Sequence, residues 1–139
     1  MKAGLDTSVI VRLLTGEPED LAREAMRHVA ERRRSGDRLL VSDLVLAETY
    51  YALQHHYGVP KKEVLATLRA FLATPEIKPT REAAEVLKTP GLESAKPGFI
   101  DRIIYRNYLG SGAEELVTFE RAARKLSAVR VLGASRVTD

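Results

Sequence analysis

The sequence contains no cysteine, which excludes disulfide bonds, thiolate metal sites and cysteine nucleophiles. A lack of cysteine fits a reducing compartment. No apolar run approaches the roughly 18 residues that a membrane-spanning helix needs, and the first residues lack the apolar core of a signal peptide. We therefore expect a cytoplasmic protein without a membrane span.

Charge of one sign is not in large excess either, because 22 Lys and Arg residues face 19 Asp and Glu residues. Basic residues cluster at 32–34 and 121–125. Such clusters can follow phosphates, but a basic cluster is more often the solvated face of a helix. The 139 residues, 45% of them hydrophobic, are enough for one domain with its own core.

Short apolar segments alternate with amphipathic helical segments along the chain. The sequence predicts strands at 2–5, 38–41, 76–79, 115–119 and 128–132. It predicts helices at 7–14, 19–34, 43–57, 60–72, 80–88, 97–109 and 120–126. This alternation predicts βαβ units, and therefore an α/β fold with a mostly parallel sheet of about five short strands flanked by helices.

Asp6 follows the first predicted strand and precedes the pair Thr7-Ser8, which is a good start for a helix. Ligands bind at the carboxyl ends of strands in open parallel sheets, so Asp6 is a candidate site residue. Asp is also a preferred N-cap residue. Both interpretations stay open on this stretch alone.

Two further acids lie on predicted helices beside apolar or aromatic residues. Glu48 shares a helix face with Leu44 and Tyr51. Burying an unpaired carboxylate is costly, so Glu48 either has a partner or reaches water at the rim of that face. Asp101 lies near the start of the helix that follows Pro97, where the helix macrodipole favours an anion, so a structural role explains it as well as a functional one.

Glu120 follows the predicted strand at 115–119, as Asp6 follows the first strand. In a right-handed parallel arrangement both strand ends point to the same edge of the sheet. Two carboxylates about 5 Å apart repel by about 3 kcal/mol at an effective dielectric constant near 20. Such a cluster takes up protons or binds a cation, and Mg²⁺ and Mn²⁺ suit carboxylate oxygens. The alternative is that Glu120 caps the last short helix.

Four segments in this order resemble the PIN-domain family, and within it the VapC-type toxins of prokaryotic toxin–antitoxin pairs. They are Leu5–Ile10, Val45–Glu48, Phe99–Asp101 and Val117–Glu120. The resemblance covers essentially the whole chain. It implies a PIN-like three-layer α/β/α sandwich, a single domain over residues 1–139, and an endoribonuclease that depends on Mg²⁺ or Mn²⁺.

The acids of this family carry over to four positions of the sequence. The first three fall on Asp6, Glu48 and Asp101, and the fourth, usually an Asp, falls on Glu120. The resemblance implies that all four are catalytic. Asp6 and Asp101 are the first choice for direct metal ligands. Glu48 could be a further ligand or could orient the attacking water. Glu120 is one methylene longer than the usual Asp and could bind the metal directly, act through water or point elsewhere.

Three other residues take supporting roles in this interpretation. Thr7 and Thr118 match family positions whose hydroxyls lie beside the acid cluster. Arg102, next to Asp101, is a candidate contact for an RNA phosphate, although it could equally be an exposed helix residue. No histidine is needed, because His28, His55 and His56 show no ligand spacing against the acids, and we expect them at the surface.

The resemblance also implies partners: an RNA substrate, a second copy of the chain in a homodimer, and a small VapB-type antitoxin chain. The helix predicted at 43–57 is more aromatic and apolar than one core face needs. The residues concerned are Tyr50, Tyr51, Leu53 and Tyr57. We expect the helices from 43 to 72 to contribute to these partner surfaces.

Other classes with an acid after the first strand fit less well. Aspartyl-phosphate phosphotransferases need a second Asp two residues later, where this chain has Ser8. Receiver domains need an Asp after the third strand and a Lys after the last, and residues 78–80 and 132–134 supply neither. The remaining alternative is a PIN-like module that binds RNA or protein with weak or no catalysis, and the Glu at position 120 keeps it open.

Overall fold

The structure is a computed structural model that describes residues 1–79 and 81–133. The α-helices are α1 (Thr7–Thr15), α2 (Glu19–Arg34), α3 (Asp43–His55), α4 (Lys61–Leu72), α5 (Arg81–Leu87) and α6 (Phe99–Gly110). The strands are β1 (Lys2–Gly4), β2 (Arg38–Val41), β3 (Ile77–Pro79), β4 (Leu116–Thr118) and β5 (Val129–Val131). A 3₁₀-helix, Arg121–Lys125, lies between β4 and β5.

The strand pairs within the described residues are all parallel. Strands β1, β2 and β3 form a three-stranded sheet in that order, and β4 pairs with β5. The predicted α/β class with five short parallel strands is therefore confirmed. The predicted helix at 120–126 is a 3₁₀-helix, while the predicted start of α5 at Thr80 and residues 134–139 of the predicted domain lie outside the described residues.

The chain divides into two compact units, Met1–Leu87 and Lys88–Asp139. In the first unit the central strand β2 places Leu39 and Val41 in the core, where both are completely buried. In the second unit α6 buries Phe99 and Ile103. Each unit therefore has buried apolar residues of its own.

Polar residues at the carboxyl end of β2 cap α3 and connect it to α5. The side chain of Ser42 caps α3 by accepting a hydrogen bond from the backbone N–H of Val45 at 3.1 Å. The next residue, Asp43, accepts a hydrogen bond from the backbone N–H of Ala83 in α5 at 2.9 Å. Asp43 thus ties the first turn of α3 to the start of α5, which gives this acid a structural role.

Helix α3 packs against α1, α4 and α5, and this broad contact corrects one prediction. Tyr50 and Leu53 were expected at a partner surface, but they are only 8% and 3% exposed and belong to the core. The prediction is wrong for these two residues because a helix with neighbours on several sides buries a wide face. Tyr51 and Tyr57 are exposed, as expected.

No helix within residues 1–79 and 81–133 combines the length and the apolar character needed to cross a bilayer.

Glu76, the residue before β3, is a buried carboxylate that forms an ion pair with Arg33 near the end of α2. The Nε of Arg33 donates a hydrogen bond to Oε1 of Glu76 at 3.0 Å. Hydrogen bonds from this guanidinium, helped by a backbone hydrogen bond, hold the pKa of Glu76 below its ordinary value against the opposing effect of desolvation. The ion pair joins α2 to the amino-terminal edge of the sheet.

We expect Glu76→Gln to lower the free energy of unfolding at neutral pH by about 1–3 kcal/mol, because Arg33 loses its charged partner. A carboxyl group with a lowered folded pKa stabilises the fold above its unfolded pKa, about 4.3 for Glu, and this contribution is lost as the pH falls through the folded pKa. The difference between the two proteins should therefore shrink as the pH falls below about 4. Urea unfolding at neutral and acidic pH measures it, and a difference that is constant with pH would contradict the assignment.

Candidate functional site

Asp6 lies two residues after β1 and is exposed. Its Oδ2 accepts hydrogen bonds from the hydroxyl of Ser8 at 2.8 Å and from the backbone N–H of Ser8 at 3.4 Å. Asp6 is therefore the N-cap of α1, as one interpretation of the sequence proposed. The hydrogen bond from the Ser8 hydroxyl lowers the pKa of Asp6 most, and the bond from the Ser8 N–H lowers it further. The carboxyl group is therefore an anion at neutral pH.

Glu48 lies on the exposed face of α3. Its helical neighbours Leu44 and Tyr51 are 72% and 53% exposed, so the face they share is turned to solvent and not to the core. The hydroxyl of Thr7 donates a hydrogen bond to Oε1 of Glu48 at 2.7 Å. Glu48 is thus in contact with water and also has a hydrogen-bond partner. That partner, Thr7, directly follows Asp6 in the sequence.

Asp101 lies in the first turn of α6 and is exposed. The N-cap of this helix is Gly98, which has no side chain to accept a hydrogen bond. A carboxylate in the first turn therefore complements the positive end of the helix macrodipole. The neighbouring Arg102 donates from Nε to the carbonyl oxygen of Pro97 at 2.6 Å, which anchors its guanidinium beside the start of α6.

Glu120 lies two residues after β4, the same offset that separates Asp6 from β1. Its Oε1 accepts a hydrogen bond from the backbone N–H of Ala122 at 3.1 Å, so it is the N-cap of the 3₁₀-helix. The backbone N–H of Glu120 in turn donates to the hydroxyl of Thr118 at 3.0 Å. The predicted capping role of Glu120 is confirmed, and Thr118 supports the backbone of this acid.

The first unit joins Thr7 to Glu48 by a hydrogen bond, and Asp6 precedes Thr7 in the sequence. The other predicted site residues lie in the second unit: Asp101, Arg102, Thr118 and Glu120. Within the part of the chain that the structure describes, no group of three or more His, Asp or Glu side chains is arranged to hold a metal ion. The donor chemistry of Asp6 and Glu48 nevertheless fits Mg²⁺, which is usually held by one or two carboxylates and retains several waters.

A depression of ≈ 430 Å³ adjoins Glu48, and sequence reasoning did not anticipate it. Its lining residues are Thr7, Ala47, Glu48, Tyr51, Ala52 and His56. The expected surface position of all three histidines is confirmed. The signal for the depression was the helical spacing of Tyr51 and Ala52, three and four residues after Glu48, which puts them on its face.

Ser8 is the other residue whose contribution was missed, because its hydroxyl bonds directly to the carboxylate of Asp6. The signal was local, since a Ser two residues after an Asp N-cap can bond to that carboxylate.

Comparisons with known proteins were made for the whole chain. The family model described as the PIN domain matches residues 4–129, a range that includes all four predicted acids. The chain is also similar to the VapC ribonuclease of Aquifex aeolicus (strain VF5), with 29% identity over 128 residues that cover 88% of this chain and 90% of that relative. No solved structure matches the chain.

Proposed function

The chain belongs to the PIN domain family, and from this premise we propose that it is an endoribonuclease that hydrolyses RNA phosphodiester bonds with Mg²⁺ or Mn²⁺. The observation that carries the proposal is the 2.7 Å hydrogen bond between Thr7 and Glu48, which are 41 positions apart in the sequence. This bond joins α3 to the segment that begins with Asp6, which supports a site that draws on both Asp6 and Glu48. Similarity to the VapC ribonuclease supports RNA as the substrate class.

The residues of the first unit would hold and orient the reacting groups. A bound divalent cation supplies an activated water and neutralises charge on the scissile phosphate. Asp6, kept ionised by Ser8, is a proposed direct ligand. Thr7 holds Oε1 of Glu48, so Oε2 is the oxygen that Glu48 can offer to the cation or to the attacking water.

Further proposed site residues lie in the second unit. Asp101 is the second proposed direct ligand. Glu120 is a candidate ligand with one carboxylate oxygen already engaged by Ala122. Arg102 is proposed to contact an RNA phosphate through its terminal nitrogens, since its Nε is held by Pro97.

The biological role we propose is the toxin of a type II toxin–antitoxin pair in the cytoplasm, acting as one PIN-like domain over residues 1–139. Its proposed partners are a VapB-type antitoxin chain and a second copy of the chain. The similarity to the VapC ribonuclease supports this role. Exposed apolar residues on two helices support a protein contact as well; they are Leu21 and Met26 of α2 and Leu44 of α3.

A PIN-like binding module without cleavage is the second candidate function. The observation that favours it is that Asp6 and Glu120 both cap helices. A capping role explains the presence of these two acids without a catalytic or metal-binding role.

A metal test separates the two candidates. We expect the purified protein to cut single-stranded RNA in Mg²⁺ or Mn²⁺ and to stop when EDTA is added. The carboxylates and the phosphate are all negatively charged, so a cation must lie between them for the reaction to proceed. Manganese at 100 times its dissociation constant should also raise the free energy of unfolding by about 2.7 kcal/mol, which thermal unfolding detects without any RNA.

The control for the metal test is Asp6→Asn, which should lose the manganese shift while keeping its fold. Cutting that continues in EDTA, or an unchanged melting temperature in millimolar Mn²⁺, would count against a metal-dependent enzyme and for the binding module.

A further inference from the structure

Tyr51, His55 and His56 form an exposed aromatic cluster at the end of α3, which we call the Tyr51 cluster. The ring centroid of Tyr51 lies 4.3 Å from that of His55 and 6.3 Å from that of His56. Tyr51 is 53% exposed, and both histidines are exposed too. Three rings thus lie together at the surface, Tyr51 and His55 one helical turn apart and His56 directly after the helix.

The fold of the first unit does not account for this cluster. The core face of α3 consists of Leu46, Thr49, Tyr50 and Leu53. Tyr51 points away from that face, so its ring adds little to the buried apolar area. Aromatic rings that are exposed and packed against each other are typical of surfaces that bind a ligand or partner.

The Tyr51 cluster borders the depression beside Glu48. Tyr51 and His56 form its aromatic wall, and Thr7 and Glu48 form its polar wall. Ala47 and Ala52 line it with methyl groups, which leave room between the two walls. Its volume of ≈ 430 Å³ lies within the range of about 300–1,000 Å³ that is usual for small-molecule sites.

We propose that the Tyr51 cluster and this depression form a subsite that stacks one unpaired nucleobase of single-stranded RNA beside Glu48. The proposal rests on the proposed ribonuclease function. Unpaired bases of RNA stack on Tyr and His rings, and such stacking tolerates different bases because every base has a π-face. The hydroxyl oxygen of Thr7 and the ring nitrogens of His56 can form hydrogen bonds with the edge of the base.

A nucleobase fits this surface better than a protein side chain does. Charged residues are depleted at the core of protein–protein interfaces, whereas the depression combines aromatic rings with a hydroxyl and the carboxylate of Glu48. The exposed aliphatic neighbour on this face is Leu44, which does not line the depression and lies one turn before Glu48. A substitution of Leu44 should therefore disturb a protein contact on this face but leave the binding of a nucleobase in the depression unchanged.

The test measures binding of a fluorescent single-stranded RNA oligonucleotide by anisotropy, in Mg²⁺ and in an Asp6→Asn background that leaves the RNA intact. We expect Tyr51→Ala to weaken binding about tenfold, because removal of a stacking ring usually costs between several-fold and a hundredfold. Tyr51→Phe keeps the ring and should stay within about twofold of the parent protein. The matched control is Tyr57→Ala, an exposed tyrosine outside the depression, which should also bind like the parent protein.

An oligonucleotide with abasic sites keeps the phosphates but removes the bases. It should bind weakly, and Tyr51→Ala should bind it as well as the parent protein does. If Tyr51→Ala does not fold, native protein can be crosslinked to RNA that contains 4-thiouridine. A crosslink within residues 51–56 would support the subsite, and crosslinks elsewhere alone would overturn it.

The outcomes separate the subsite from the proposed function. If the native protein cuts RNA but Tyr51→Ala binds RNA as tightly as its parent, the subsite is wrong and the ribonuclease stands. If the native protein neither binds nor cuts RNA, the proposed function fails and the subsite fails with it. If Tyr51→Ala and Leu44→Ala both change the oligomeric mass while RNA binding is unchanged, the surface is a protein contact and the subsite is overturned.

Discussion

Asp6→Asn is expected to reduce the rate of RNA cleavage by about 10²- to 10⁴-fold, the range usual for loss of a group that acts in the chemical step. Asn has the shape of Asp and can still accept the hydrogen bonds from the hydroxyl and N–H of Ser8. It is also as good an N-cap as Asp. The substitution therefore removes one negative charge from the proposed cation site and leaves α1 capped, so the melting temperature should stay close to that of the native protein.

The matched control is Asp43→Asn, the same substitution in an acid that also follows a strand of the first sheet. An Asn at this position can still accept the hydrogen bond from the N–H of Ala83. We expect this variant to cut RNA at the native rate, because Asp43 has a structural role. Initial rates on a labelled single-stranded RNA, with melting temperatures beside them, measure both variants.

Asp101→Asn should lose activity as Asp6→Asn does, since both residues are proposed direct ligands. If either variant cut as fast as the native protein, the cleavage would have to come from a contaminant or from another site. If Asp43→Asn were equally inactive, the loss of any carboxylate at this edge of the sheet would impair the fold or the local electrostatic field. The inactivity of Asp6→Asn would then not identify Asp6 as a metal ligand.

Leu53→Lys is expected to lower the free energy of unfolding by about 3–5 kcal/mol or more. Leu53 is 3% exposed, so the substitution removes buried apolar contacts and places an unpaired ammonium group in the core. Small domains are stable by only about 5–15 kcal/mol, so a large fraction of this variant should be unfolded or aggregated. Urea unfolding followed by circular dichroism measures the change.

Leu44→Lys is the matched control on the same helix. Leu44 is exposed, so the ammonium group stays in water and the stability should change by no more than about 0.5 kcal/mol. Equal unfolding midpoints for the two variants would show that α3 does not bury the face assigned to it. Leu44→Lys is also the variant to use in a test of oligomeric mass, because a change of mass in Leu53→Lys would report unfolding instead of a lost partner surface.

Much of the fold and part of the site could be predicted from local patterns. Apolar runs, helix caps and breaking residues act over a few positions, so the bounds of each element lie within two residues of the expected ones. The position of Asp6 and Glu120 after strands β1 and β4 followed from the same signals. Their capping bonds are local too, because each carboxylate bonds to the residue two positions later.

The contacts between distant residues could not be read in this way. The bond from Thr7 to Glu48 and the ion pair of Arg33 with Glu76 join residues that are 41 and 43 positions apart. Helical spacing predicts which side chains share a helix face, but it does not predict which element packs against that face. Both contacts depend on how α1, α3 and α2 pack on the sheet, and packing is a property of the whole unit.

The sequence by itself determined the α/β class, the five short strands, and an acid at the end of β1 and of β4, because these depend on periodicity and caps that act locally. Only the tertiary structure decided which apolar face of α3 is buried. This helix has one apolar face with Tyr50 and Leu53 and another with Leu44 and Tyr51. The packing of α1, α4 and α5 buries the first, and Glu48 is left at the surface with Tyr51, beside the hydroxyl of Thr7.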